Sequence, residues 1–328
     1  MNKNTLYNND VEKGEDLFFE DFDDISVSTK TFIIMTNFKI KIVELFNFLP
    51  VTEYIIIPKR RGRKKKSDKI DPNKDIISGS IITLELNEDI RGVDLKKKKN
   101  SKKKKRGSYF RNAVTVVMFV DNKKINFKIS CNGHFQVTGC KNTSHAAICI
   151  KYIWDYIKNN QQIYVLEEPF PSATFIPAMR NIDFCFGFKV DREKLDEYIN
   201  TQTAYTSLLE TSFGYTGVNI KLPVYNKITE LELKQMKYIE GVWVEDFLTP
   251  FNTYLNTLKP KEQEKKLKKE RYNTFLIFHS GKAIMSGLNA DFQRRSYNDF
   301  IDIIRSCYHL IKENLQEYPN IKKQKAKK

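Results

Sequence analysis

The residues that come nearest to a catalytic or phosphate-holding set are the glycines, lysines and histidines around positions 133 and 281, and their spacing does not suit that chemistry. A phosphate loop needs four residues between its glycines and then Lys followed by Ser or Thr, so that backbone N–H groups cradle the anion. Here five residues separate Gly133 from Gly139, and Cys140, Lys141 and Asn142 follow. Ser280-Gly281-Lys282 lacks an upstream Gly. Of the four His (134, 145, 279, 309), none stands at metal-ligand spacing from another His or a Cys within one element. The five Cys (131, 140, 149, 185, 307) form an odd set without a CxxC pair, which predicts free thiols in a reducing compartment and no zinc. Carboxylates are plentiful, but no pair is singled out for acid-base work. The expectation is a chain without catalysis, cofactor, metal or small-molecule substrate. His134 and His279 flank turns, where they can reach a bound polymer.

Charge says more. The formal net charge is +16, and two runs, Lys59 to Lys66 and Lys96 to Arg106, together hold sixteen Lys and Arg. The remainder is therefore near neutral, and the runs are appendages suited to polyanion contact or nuclear import. A basic tail closes the chain at 319–328. At the other end, Asp10 to Asp24 carries eight acids against one Lys, interleaved with Phe18, Phe19 and Phe22. Such acidic-aromatic segments commonly lack fixed structure until they meet a groove, so residues 1–24 are expected to be disordered. No apolar run approaches a membrane span, and the first residues lack the basic-then-apolar order of a signal peptide.

The elements that must position these residues occur twice. NFKISCNGHFQVTG at 126–139 and TFLIFHSGKAIMSG at 274–287 place Phe127, Ile129, Gly133 and Gly139 over Phe275, Ile277, Gly281 and Gly287 at an offset of 148. Upstream, TFIIMTNFKIKIVEL at 31–45 lies over NIDFCFGFKVDREKL at 181–195 at an offset of 150. Order and spacing kept over this length indicate a tandem duplication. The first unit spans 25–165, with basic insertions at 58–66 and 96–106; the second spans 166–318, with an insertion at 225–271. Each reads as strand, helix, strands, long helix. Apolar steps of three and four mark helices within 40–49, after Thr143 or Ser144 as cap, from the Asp191 cap to Tyr198, and over 291–315. The β-branched run at 113–120 reads as a buried strand, and Asn132-Gly133 as a hairpin turn. Pro169, Pro171 and Pro177 mark a linker at 161–179, and 225–271 reads as a helical excursion ending in a solvated arm. Two such units join into one sheet under a helix layer, leaving one open face as a platform.

The words NGHFQVTGCK and FHSGKAIMSG resemble the hairpin F-x-S-G-K-x-V-x-T-G-A-K of the TATA-box-binding protein family, RNIDFCFGFKV resembles the opening of its second repeat, and FPSATFIPAMRNI its inter-repeat segment. The resemblance covers about 30–315, outside the insertions, and looks most like versions from large DNA viruses or divergent protists. It implies an α+β fold, a pseudo-symmetric two-repeat saddle whose curved antiparallel sheet carries helices on its convex face. It implies minor-groove binding by the concave face, with apolar wedges that unstack base steps. Phe278 matches one wedge, and Phe213 or Tyr215 its partner. In the first repeat Ser130 stands at the position of Phe278, leaving Phe110 for the other wedge, so weaker bending is expected at that end. The family's central Asn pair falls on Asn181 and on Thr31, its hairpin Thr positions on Thr138 and Ser286, and a phosphate-contacting cation on Lys141. Lys221 completes the DNA-binding set.

The activity implied is that of a transcription initiation factor. It binds and bends double-stranded A·T-rich promoter DNA, recruits a factor IIB-like protein and RNA polymerase, and works in a nucleus, viral factory or virion. The acidic segment with Phe18, Phe19 and Phe22 is expected to fold over the concave sheet as a DNA mimic. The alternative is a sequence-indifferent architectural or protein-interaction saddle in genome compaction, dominated by the basic loops. Use as an accessory domain of an enzyme ranks last, since no catalytic domain is recognisable.

Overall fold

The structure, a computed structural model, describes residues 17–56, 72–95, 112–209 and 217–313. The basic runs at 58–66 and 96–106, the tail at 319–328 and the candidates Phe110, Phe213 and Tyr215 lie outside the described residues.

Among the described residues thirteen strands form one sheet, and every pairing in it is antiparallel. Its centre is the pair β1 (Val27–Thr36) and β9 (Ser172–Cys185). Outward from β1 the order is β7 (His134–Cys140), β6 (Lys123–Ser130), β5 (Ala113–Val120), β3 (Ile81–Leu86) and β4 (Asp89–Gly92). Outward from β9 it is β15 (Lys282–Gly287), β14 (Tyr272–Phe278), β11 (Gly217–Pro223) and β10 (Thr206–Leu209). The strands that carry the duplicated words thus occupy matching places on the two sides: β7 with β15, β6 with β14, β1 with β9. A separate short ribbon pairs β2 (Phe38–Ile40) with β8 (Tyr164–Leu166).

Alternation decides which face is buried, because successive side chains of a strand point to opposite faces. In the first unit Phe32, Ile34, Phe127, Ile129, Phe135 and Val137 meet α1 (Ile42–Phe48) and α2 (Thr143–Ile157) through Leu45, Phe46, Ile150 and Ile153. In the second, Ile182, Phe184, Phe275, Ile277 and Met285 meet α3 (Arg192–Gln202) and α6 (Ala290–Ile311) through Leu195, Ile199, Phe300 and Ile304. Phe275 and Phe300 stack with centroids 4.1 Å apart. Each fully buried side chain of this size contributes about 2–3 kcal/mol. Three of these helices, α2, α3 and α6, start on polar caps: Asn142 accepts from the His145 amide, Asp191 from Lys194 and Asn289 from Phe292. For α2 the cap is thus one residue before Thr143. Asp121 and Asn122, both at positive φ (46° and 61°), make the two-residue turn from β5 to β6.

Three expectations are corrected. The second half of the proposed linker is strand: β9 starts at Ser172, and Pro177 is accommodated where the β1 register shifts between Thr31 and Phe32. Of the acidic segment, residues 1–16 lie outside the described residues, Phe19 and Phe22 are buried against Phe186 and Tyr297 on the helix side, and Phe18 stays exposed. The Tyr297 hydroxyl donates to the Glu20 carbonyl, and Asp23 pairs with Arg294. Phe19 and Phe22 therefore do not cover the opposite face of the sheet, because the apolar seat available to them lies beside α6. The third correction concerns 225–271. It forms a 3-10 turn (Ile228–Glu230), a hairpin of β12 (Glu232–Ile239) and β13 (Val242–Pro250), then α4 (Phe251–Asn256) and α5 (Pro260–Lys268). β12 pairs with β9 at Ser172 to Phe175 and so extends the sheet.

Candidate nucleic-acid interface

The face turned away from α2 and α6 is set by the residues between the core positions. The register lines them up across strands. In the second unit Lys221 lies opposite Thr274, Thr274 opposite Ser286, Ser286 opposite Asn181, and Asn181 opposite Thr29. In the first, Val117 lies opposite Asn126 and Asn126 opposite Thr138; Thr31 follows at the β1 register shift and lies opposite Met179. Directly opposed side chains on a sheet are close neighbours, so each row is a continuous strip, of short polar side chains apart from Lys221 at the edge of one and Val117 at the equivalent place of the other. The rows correspond position by position: Thr274 to Asn126, Ser286 to Thr138, Asn181 to Thr31.

Five sequence candidates, Lys221, Ser286, Asn181, Thr138 and Thr31, therefore fall on these two rows. Thr31 is buried and Asn181 half-buried, and the Asn181 carboxamide oxygen has no hydrogen-bond partner. The Thr138 hydroxyl donates to the Asn126 carbonyl at 3.0 Å. Phe278 is half-buried at the end of β14, opposite Gly217. Its counterpart Ser130 uses its hydroxyl to accept from the His134 amide at 3.2 Å, which secures the turn and offers no wedge. Lys141 is not brought to the rows: it is exposed in the turn between β7 and α2, where its amide donates to His145 Nδ1. Of the two turn histidines, His279 bonds Glu313 at 2.8 Å, and burial lowers the pKa of His134.

The platform is not open throughout. Phe251, Tyr254 and Leu255 of α4, with Ile228 and Leu231, pack on Ile33, Met35 and Ile176. Ile33 and Ile176 are direct partners on β1 and β9, so the insertion covers the centre of this face. Burying these apolar side chains anchors it, since each contributes on the order of 2 kcal/mol. Beside it runs a cleft of ≈ 530 Å³ lined by Lys221, Tyr272, Thr274 and Ser286 from the sheet and by Lys266, Lys269 and Arg271 from the insertion. The Arg271 guanidinium donates to the carbonyls of Lys266 and Lys269, holding the end of α5 against β14, and partial burial lowers its pKa.

Sequence reasoning missed Asn126, Thr274 and Thr29, although the offset of 148 pairs Asn126 with Thr274. It also missed the cations after α5, which no counterpart in the first unit announces.

No protein-family profile matches the chain. It is 27% identical over 295 residues to "Uncharacterized protein 335L" of Invertebrate iridescent virus 6, covering 85% of this chain and 83% of that protein. Among solved structures, Methanococcus jannaschii TBP matches with a TM-score of 0.37 and 13% identity, over 86% of this chain and 98% of that one. No helix among the described residues is long and apolar enough to cross a membrane.

Proposed function

We propose that this chain is a TATA-binding-like transcription initiation factor of a DNA virus, a two-repeat saddle that lays its helix-free face in the minor groove of A·T-rich promoter DNA. The observation that carries the reading is the pair of matching rows, which set short polar side chains at equivalent places on both units. The minor groove at A·T pairs presents acceptors and no exocyclic amine, so the Asn181 amide and the hydroxyls of Ser286, Thr274 and Thr31 suit its floor. Phe278 is the wedge at the second-unit end, and Lys221 with Lys266 and Lys269 neutralises phosphates. With Ser130 in place of a wedge, the bend is smaller at the first-unit end. The helix-bearing face is left for a factor IIB-like protein and RNA polymerase, and the reading assigns the chain no catalytic step. Because α4 occupies the centre, DNA enters along the cleft of the second unit and α4 is displaced as the duplex seats.

Titrating the full chain against A·T-centred and G·C-centred duplexes, with energy transfer across their ends at two salt concentrations, tests this. A preference of about 2 kcal/mol for the A·T duplex, the scale of one or two read positions, with ends drawn together, is the expected result. The covered centre also favours a second reading, architectural binding through the basic runs. Equal affinities that fall steeply with salt and no bending would establish that reading and refute the first.

A further inference from the structure

On the opposite face, at the seam between the two units, β1 and β9 place Lys30 directly across from Arg180. Like charges directly opposed on a sheet destabilise it, and here they share a position: Lys30 and Arg180 stand 150 residues apart, at the offset of the duplication. They line a pocket of ≈ 170 Å³ with Lys234, walled by Phe32, Phe175 and Met179, into which the first residues of α2 and α6, Thr143 and Ala290, also project. Glu232 and Lys234 are both exposed at its mouth. Arg180 is 8% exposed: its Nη1 donates to Gln293 Oε1, Gln293 Nε2 donates to its carbonyl, its guanidinium lies 5.1 Å from the Phe22 ring centroid, and Asp23 and Asp291 are the carboxylates that act on it. Burial and then the repulsion of Arg180 and Lys234 lower the pKa of half-buried Lys30, with Cys140 acting the other way.

We propose that this pocket binds a phosphate-sized oxyanion, either free orthophosphate or the phosphate of a mononucleotide, held between Lys30, Arg180 and Lys234. The anion relieves the repulsion across β1 and β9 and so ties the two units together. The starts of two capped helices add positive potential on the same side.

The test is thermal unfolding of the full chain in orthophosphate, in a nucleoside 5′-monophosphate and in chloride of equal ionic strength, for wild type, Lys30→Met and Lys234→Met. Saturating phosphate is expected to raise the wild-type Tm by about 3 °C or more over chloride. That rise should vanish in Lys30→Met, whose Tm in chloride is at or above wild type, and shrink in Lys234→Met, an exposed change that leaves the core intact. A response to the nucleotide and not to orthophosphate would place the base against Phe32 and Phe175 and make the nucleotide the ligand. A wild-type response no greater than in chloride, or an equal rise in all three proteins from the basic runs, would overturn the proposal.

Discussion

At single positions, the duplicated glycines answer to backbone and packing. Gly133 and Gly281 have φ of 73° and 78°, and a Cβ on either would meet a carbonyl oxygen, of Phe38 at 1.9 Å or of Phe188 at 2.0 Å. Gly281→Ala is therefore expected to destabilise the protein by about 2–3 kcal/mol or more, read as a lower urea midpoint. Asn273 is fully buried, and its amide donates to the Phe292 carbonyl at 2.6 Å and the Ser296 hydroxyl at 2.8 Å. Asn273→Leu should cost about 1–3 kcal/mol by stranding both acceptors, and an unchanged midpoint would show that α6 does not depend on this link to β14. Such positions differ in legibility. Thr31 and Asn181 were readable as equivalents because the repeat offset aligns them, and the burial of their neighbours Phe32 and Ile182 puts both on one face. The pairing of Lys30 with Arg180 was not readable, since it depends on the register shifts in β1.

Among elements, strands were the more legible part. The run at 113–120 is a strand with the bounds its β-branched residues suggest, and the two hairpins of the repeat appear as β6–β7 and β14–β15. Alternation over six or more residues leaves little choice of face. The insertion was misread because a charged run at 259–271 dominates its composition, while its fold is decided by apolar residues scattered between 228 and 255 that find partners on the distant β1, β9 and the start of α6. Phe251 is its principal anchor, 3% exposed at the start of α4. Phe251→Ala removes about 3–5 kcal/mol of packing from an element outside the repeat. The expected outcome is faster proteolytic cleavage within 251–271, tighter binding of A·T-rich DNA and an intact sheet. Unchanged DNA affinity alongside faster cleavage would mean that α4 does not compete with DNA.

For the molecule as a whole, ionisation limits stability on both sides of neutrality. Burial holds the pKa of His134 and His145 below the ordinary 6.5; for His145, Lys123 and Lys141 add to burial while Asp121 opposes it. Below that pH the unfolded chain binds more protons than the folded one, so stability falls as the pH drops through 6.5 and below. On the alkaline side burial raises Cys140 to about 11 and Cys307 to about 12, and raises Cys149 as well. From pH 9 upward the unfolded thiols release protons that the folded ones keep, and stability declines by up to about 1.4 kcal/mol per pH unit for each thiol. Urea midpoints measured from pH 5 to 11 should thus show a plateau between roughly 7 and 9. Replacing Cys140 by Ala should flatten the alkaline limb.

The pairing of β1 with β9 also sets the order of events at the ribosome. β1 is made before both its partners: its outward neighbour β7 follows about a hundred residues later, and its other edge waits for β9, which begins at Ser172. Until then the nascent first half presents a ten-residue strand with one side of its backbone unpaired, the kind of edge to which another strand adds readily. Two nascent chains on neighbouring ribosomes offer each other that edge before either has made the strand meant for it. Chain concentration during synthesis therefore governs how much of the product closes on itself and how much is exchanged between copies.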